Sequence, residues 1–248
     1  MMTTANPRGN YFFLKGIEPY SCGVIAAPDH EIIHLTFRQP LPWRQGFAAV
    51  SAHLETVGRS RHALCAMELR SPSPFTMEGF IAFNKEYCLV LEEWGLYVEG
   101  LNPIARTNVA PLHHPPTSPV LHAFSYTVPS PGAPPTLVVA GAGELQGAAL
   151  VAEGIVRRGH TDARAMEEKA AFVLDVMEER LLGLGGNWEL VHTADVYTVH
   201  PLGPIAEQIW RRLGRAARHG FRWYQTRPPV VDIEFEMDLR GTRTEFYL

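Results

Sequence analysis

Asn102-Pro103-Ile104-Ala105-Arg106-Thr107-Asn108-Val109-Ala110-Pro111 sets a single guanidinium among small and polar neighbours, in a short segment between a long helical pattern and a strand pattern. Arginine stays charged and carries a planar fork of donors that fits a carboxylate bidentately. With Asn108 two residues on, Arg106 is placed to hold a small anion. The competing reading is an arginine on a surface loop. The order of elements on either side of the segment decides between the two and gives the fold.

Upstream, strand-like residues run through Gly9 to Ala27 and alternate from Glu31 to Arg38, until Pro40 and Pro42 stop the run. A helix is expected next, with Trp43, Phe47, Val50, Leu54 and Val57 on its apolar side and Gly58 at its end. His62 to Leu69 reads as a strand. Thr76 is the expected N-cap of a second helix, whose inner side carries Met77, Phe80, Asn84, Tyr87, Leu91 and Trp94. Gly95 and Gly100 close it, the arginine segment follows, and Val120 to Val128 makes another strand.

Downstream, Pro129-Ser-Pro-Gly-Ala-Pro-Pro135 is the densest proline stretch and the natural linker. The order then begins again. Thr136 to Ala140 is a strand running into Gly141-Ala142-Gly143-Glu144. A helix starting at Thr161 places Met166, Ala170, Val173, Met177, Leu181 and Leu184 inward and ends at Gly185-Gly186. Trp188 to Val199 is a strand, Pro204 opens a helix bearing Ile205, Ile209, Leu213 and Ala216, and Val230 to Leu239 closes as a strand. Helices alternating with strands of one sheet give an α+β layer with two helices on one face. Two such units are expected in tandem, over residues 1–130 and 131–248.

The totals narrow the function. At 248 residues, 46% hydrophobic and 19% charged, the chain can bury a substantial core, and a formal charge of −4 gives no general attraction to nucleic acid or anionic membrane. No apolar run is long enough to span a bilayer, and Met1-Met2-Thr3-Thr4-Ala5-Asn6 lacks a basic-then-apolar signal, so a soluble cytoplasmic protein is expected. Cys22, Cys65 and Cys88 form no CxxC pair and read as small buried hydrophobes in a reducing compartment. The 11 histidines suggest no metal centre. His192 and His200 would lie roughly 26 Å apart along a strand, and His113-His114-Pro115-Pro116 has no carboxylate partner pattern. Arg211, Arg212, Arg215 and Arg218 form a basic stripe without interleaved aromatics, which reads as a solvated helix face.

With these residues in view, the chain resembles a tandem member of the RidA (YjgF) enamine/imine deaminase family, each unit having the YjgF/chorismate-mutase-like layout. Thr136 to Glu144, Gly186-Asn-Trp-Glu-Leu-Val-His-Thr-Ala-Asp-Val-Tyr197 and Val230-Val-Asp-Ile-Glu-Phe-Glu236 carry the layout, and Ala105-Arg106-Thr107-Asn108-Val109 carries the functional signature. The two-repeat arrangement around Asn102 to Pro111 is most similar to the branch acting on 2-aminomuconates in aromatic degradation. The resemblance implies that Arg106 grips a substrate carboxylate and that an acid on a final strand serves it. The first half has Leu121, His122 and Ala123 where that acid belongs. The second half has Glu234 but no Ala-Arg-Thr segment, so a working site is expected to combine the halves.

The expected chemistry is hydrolytic release of ammonia from a small carboxylated enamine, with no metal or organic cofactor needed if the site fixes the carboxylate and moves protons. Arg106, Glu234 and Glu144 are the expected catalytic residues. Asn108, Thr107, Gly141, Gly143 and Arg70 are the expected substrate contacts, the glycines leaving backbone N–H groups open. Arg70, Ser71 and Ser73 also read as an ordinary turn before the Thr76 helix. The expected partner is a small carboxylate, in a homotrimer whose packing covers the open sheet faces. The rivals are a chorismatase-like hydrolase or lyase on a cyclic carboxylate, and a metabolite-binding protein without turnover.

Overall fold

The chain opens with β1 (Thr3–Asn6), β2 (Tyr11–Leu14) and β3 (Gly23–Ala26), then β4 (His30–Pro42), α1 (Trp43–Thr56), β5 (Leu64–Arg70), α2 (Met77–Glu93), β6 (Ala105–Pro111) and β7 (Val120–Pro129). The second half adds β8 (Leu137–Gly143), α3 (Ala163–Gly183), β9 (Thr193–Tyr197), α4 (Gly203–Leu213), β10 (Arg222–Tyr224), β11 (Thr226–Arg227), β12 (Glu236–Arg240) and β13 (Thr244–Tyr247). The structure, a computed structural model, describes residues 2–147 and 150–248.

The strands form two mixed sheets, one ordered β11-β6-β5-β7-β4-β13 and the other β1-β2-β3-β8-β12-β9-β10. At the heart of each lies the same arrangement. β6-β5-β7-β4 and β10-β9-β12-β8 match in order, and in both the first pair is parallel and the other two antiparallel. The sheets also exchange edges. The N-terminal β1 to β3 extend the sheet of the second half, while β13 from the C-terminus pairs with β4, in parallel.

Burial explains the layers. α1 and α2 press Phe47, Val50, Leu54, Tyr87 and Leu91 onto Met67, Leu69, Leu121 and Phe124 of the first sheet. α3 and α4 press Val173, Met177, Leu181, Ile205 and Ile209 onto Val139, Val196, Met237 and Leu239 of the second. The opposite sheet faces meet each other through Phe13, Val24, Ile32, Ala66, Ala105, Val138 and Ala140. The result is an α+β fold in which two helix-backed sheets cover one another. Strands buried on both sides lose the apolar–polar alternation of half-exposed strands.

Local signals act as expected at several ends. Thr76 Oγ1 accepts from Gly79 N at 3.1 Å, capping α2, and Pro204 sits in the first turn of α4. Other expectations shift. α3 begins at Ala163 rather than at Thr161, and Asp162 caps it by accepting from Ala165 N. Val57 lies beyond the end of α1 and is 41% exposed. Trp188–Leu190 is a 3-10 turn, so β9 starts only at Thr193. β12 begins at Glu236, leaving Glu234 outside the strand. The arginine segment is the largest change: it is β6, a buried strand paired with β5, and Arg106 is no loop residue.

A charged cluster occupies the space between the sheets. Arg240 Nη1 lies 2.7 Å from Glu68 Oε1 on the facing sheet and 2.9 Å from Asp195 Oδ2. Arg70 Nη2 takes the other Glu68 oxygen at 3.1 Å, and Tyr197 donates to Asp238 Oδ2 at 2.9 Å. Arg240 also reaches Glu245 Oε1 at 3.6 Å, so Arg70 and Arg240 face four carboxyls, Glu68, Asp195, Asp238 and Glu245. Burial, helped by Asp195 and Glu68, pushes Asp238 up to about 8, which lowers the negative charge the two cations must offset. Burial opposes the charge on Glu68, yet Arg240, His34 and Arg70 together hold its pKa below the usual range. Removing one partner from such a cluster strands a buried charge. Arg240→Met is therefore expected to lower unfolding free energy by about 3–5 kcal/mol, read as a shift of the urea midpoint. A shift below about 1 kcal/mol, the value of an exposed pair, would show that the sheets hold together without it.

Candidate functional site

Where β6 and α2 of the first half of the chain meet β8, β12 and α3 of the second, they line a cavity of about 500 Å3. Arg106 projects into it from β6 and is only 3% exposed. Its Nη2 donates to Asn84 Oδ1 at 2.7 Å, from the inner stripe of α2. Its guanidinium carbon stands 4.7 Å from the centre of the Tyr87 ring, 5.0 Å from Tyr20 and 5.7 Å from Phe80. Aromatic faces attract a cation and restrict its movement. Burial works against the charge and lowers the Arg106 pKa, though guanidinium remains cationic. Among the described residues Nη1 finds no acceptor. A buried, charged donor left unpaired is costly and calls for a ligand or water.

Asn108, two residues along the same face of β6, also lines the cavity. Ser71 Oγ donates to its Oδ1 at 2.9 Å, and its Nδ2 is buried without a partner among the described residues. The strand therefore offers two unsatisfied donor groups side by side, one of them charged.

The acid that shares this cavity is Glu236, at the start of β12 and 4% exposed. Burial raises its pKa well above the carboxylate range, with Asp238 and Glu144 adding to the shift while Arg180 and Arg106 oppose it. Burial therefore favours the protonated form of this carboxyl, the form that can donate a proton. Along β12, Glu236, Asp238 and Arg240 face the inter-sheet space, while Met237 and Leu239 face the helices.

A bulge positions the opposite wall. β12 pairs Met237 with Ala142 but Leu239 with Val139, so β8 carries one extra residue at Ala140–Gly141. The bulge breaks the alternation of β8 and turns Gly141 toward Glu236. A side chain at 141 would press on Thr107 and push the Glu236 carboxyl out of its place. Gly141 N donates to Thr107 Oγ1 at 3.1 Å. That N–H is therefore occupied rather than open, contrary to the sequence expectation, and Thr107 faces Gly141 as a link between sheets. Gly143 lines the cavity, with Ile233 filling the space beside it.

The remaining expected residues lie elsewhere. Glu144 is fully buried, paired with Lys169 Nζ at 2.9 Å and accepting from Glu234 N and Phe235 N. It fixes the approach to β12 and so aims Glu236, without lining the cavity. Glu234 turns away and meets His200 Nε2 at 2.8 Å. Arg70 belongs to the inter-sheet charge cluster. Two residues were missed: Asn84, visible as a polar residue on an apolar helix stripe, and Glu236, the other member of the Glu-Phe-Glu alternation. Among the described residues no group of three or more His, Cys, Asp or Glu is arranged to hold a metal. The Cys22 wall position is a free thiol, like Cys65 and Cys88. Three of the four arginines of the basic stripe are in ion pairs, Arg211 with Glu207, Arg212 with Asp175 and Glu178, and Arg215 with Glu189. No described helix is long and apolar enough to cross a membrane.

Comparison with known proteins gives the family of the chain. A 2-amino-5-chloromuconate deaminase from Comamonas testosteroni is 41% identical over 243 residues, covering 97% of this chain and 96% of that protein. Among solved structures, a chorismatase overlays with a TM-score of 0.47 at 10% identity, over 97% of this chain and 79% of its own. A Thermotoga maritima protein described as an endoribonuclease gives 0.27 at 18% identity, over 44% and 79%. Both overlays are too weak to bear on function. The sequence likeness is of another order: residues 3–246 match the family described as 2-aminomuconate deaminase CnbZ, and the chain belongs to that family.

Proposed function

We propose that the protein is a cofactor-independent hydrolytic deaminase of a small carboxylated enamine, a 2-aminomuconate derivative of aromatic-ring degradation. One observation carries the reading. Arg106 Nη1 and Asn108 Nδ2, both buried and unpartnered among the described residues, share a cavity with the Glu236 carboxyl, whose pKa burial raises. The relative's 2-aminomuconate-type substrate combines a carboxylate with an adjacent enamine, which these groups fit.

Arg106 and Asn108 hold the carboxylate beside the amino-bearing carbon, fixing the enamine against Glu236. Glu236 gives its proton to the enamine carbon, and the nitrogen becomes an iminium. The carboxylate so formed takes a proton from water as the water oxygen bonds to the iminium carbon, giving a carbinolamine. Glu236 then protonates the nitrogen, the C–N bond breaks, and ammonia leaves as the hydroxyl proton returns to Glu236. The sum is enamine plus water to ketone plus ammonia. A buried carboxylic acid with a raised pKa suits both directions of transfer.

In this reading residues 1–130 and 131–248 are two tandem units that have exchanged edge strands, and one complete site lies within a single chain. The assembly we propose is a cytoplasmic homotrimer. Since the inner sheet faces already cover each other, its contacts would run through the outer edges, where Phe246 and Tyr247 of β13 are exposed. Sedimentation should then give three times 27.6 kDa, and a monomer mass would remove the trimer while leaving the chemistry untouched.

Arg106→Met is expected to lower kcat/KM for ammonia release from 2-aminomuconate by about a hundredfold or more, the loss of a buried charge-assisted contact. Undiminished turnover would remove the anchor, and tight binding with no ammonia in the wild type would favour a non-catalytic metabolite-binding protein.

Glu236→Gln should abolish turnover and yet stabilise the fold. Between the unfolded carboxyl pKa of about 4.3 and the raised folded value, the native state holds a proton that the unfolded state has lost. Wild-type stability therefore falls as pH rises through that window. The variant lacks this fall, so its thermal midpoint should exceed that of the wild type at pH 8, with the gap narrowing towards pH 4. A lower midpoint than wild type at pH 8 would contradict a protonated Glu236.

A further inference from the structure

The cavity contains a second guanidinium that the proposed chemistry leaves unused. Arg180, on α3, lines the same cavity as Arg106. Its Nη1 donates to Ala140 O at 2.8 Å and to Gly141 O at 3.3 Å, the two carbonyls at the β8 bulge. Residues at a bulge fall out of the regular ladder, and their carbonyls become available to a side chain. The extra residue that turns Gly141 toward Glu236 therefore also holds Arg180 against the cavity. Among the described residues only Nη1 of this guanidinium has acceptors. Its other donors remain for a ligand.

The charged groups lining the cavity are Arg106, Arg180 and Lys15, with Glu179 and Glu236. Glu236 feels both arginines, which reach the cavity from different elements, Arg106 from β6 and Arg180 from α3. Lys15 is an exposed rim residue, whereas Arg180 is half-buried and tethered to backbone. A tethered guanidinium has already lost much of its side-chain freedom, so forming a carboxylate contact costs it less further entropy.

Resting on the enamine reading above, we infer that Arg180 is the specificity-determining anchor for a second, distal carboxylate, making the site selective for dicarboxylic over monocarboxylic enamines. Arg106 takes the carboxylate beside the reacting carbon and Arg180 takes the far end, so that the chain of the substrate is stretched past Glu236. A single anchor would leave the skeleton free to swing away from the acid; two fix its direction.

The test uses an unreactive matched pair, trans,trans-muconate and sorbate, which differ only in that one end is a carboxylate or a methyl group. In calorimetry the wild-type protein should bind muconate at least about tenfold tighter than sorbate, the yield of one charge-assisted contact. Arg180→Gln should bring that ratio close to one, while Lys15→Gln should leave it in place. A wild-type ratio near one, a ratio preserved in Arg180→Gln, or a ratio lost in Lys15→Gln instead would each overturn the assignment. The wild-type ratio needs no variant, so misfolding of Arg180→Gln cannot shield the idea. Ammonia release from an aminomuconate is scored separately: its absence, with the Arg180-dependent preference intact, would fail the deaminase reading and leave the second anchor standing.

Discussion

Arg240 and Glu68, 2.7 Å apart in the space between two sheets, represent the constraint on which the rest depends. Each sheet alone has a helix-covered face and a face that needs a partner. Here the partner is the other sheet of the same chain, and the inner faces join through an apolar patch and a network of buried ion pairs. That packing brings β6 against β8 and β12. Without it Arg106 and Glu236 would belong to separate surfaces.

The same packing explains the chemistry of the site. A guanidinium and a carboxyl in water would both be solvated and ionised. Brought together, Arg106 keeps its charge while the Glu236 pKa rises, because burial penalises a carboxylate more than the nearby arginines favour it. Glu144 contributes at a distance: its fully buried pair with Lys169 accepts the backbone N–H groups of Glu234 and Phe235 and sets where β12 begins. The bulge in β8 does the same from the other side, placing a glycine where any side chain would displace the acid.

Much of this was legible in the sequence, for identifiable reasons. The helices announce themselves through 3.6-residue spacing and the Thr76 cap, because amphipathic periodicity and capping are local. Arg106 stood out because a lone arginine among small residues is unusual. Edge strands such as β1, β10, β11 and β13 were not legible, since short strands take their identity from partners far away in sequence. The same holds for β6: its polar residues suggested a loop, and only a second buried surface explains a strand carrying Arg, Thr and Asn. Glu234 was favoured over Glu236 because the start of β12 depends on where the Glu144 carboxylate holds the chain. The bulge left no sequence signal beyond a glycine.

The central claim is that a carboxylated ligand lies between Arg106 and Glu236. A crystal structure of the protein with trans,trans-muconate tests it most directly. The account predicts one carboxylate within hydrogen-bond reach of Arg106 Nη1 and Asn108 Nδ2, with the carbon chain running beside the Glu236 carboxyl. Muconate bound elsewhere, with Arg106 still unpaired, would contradict it.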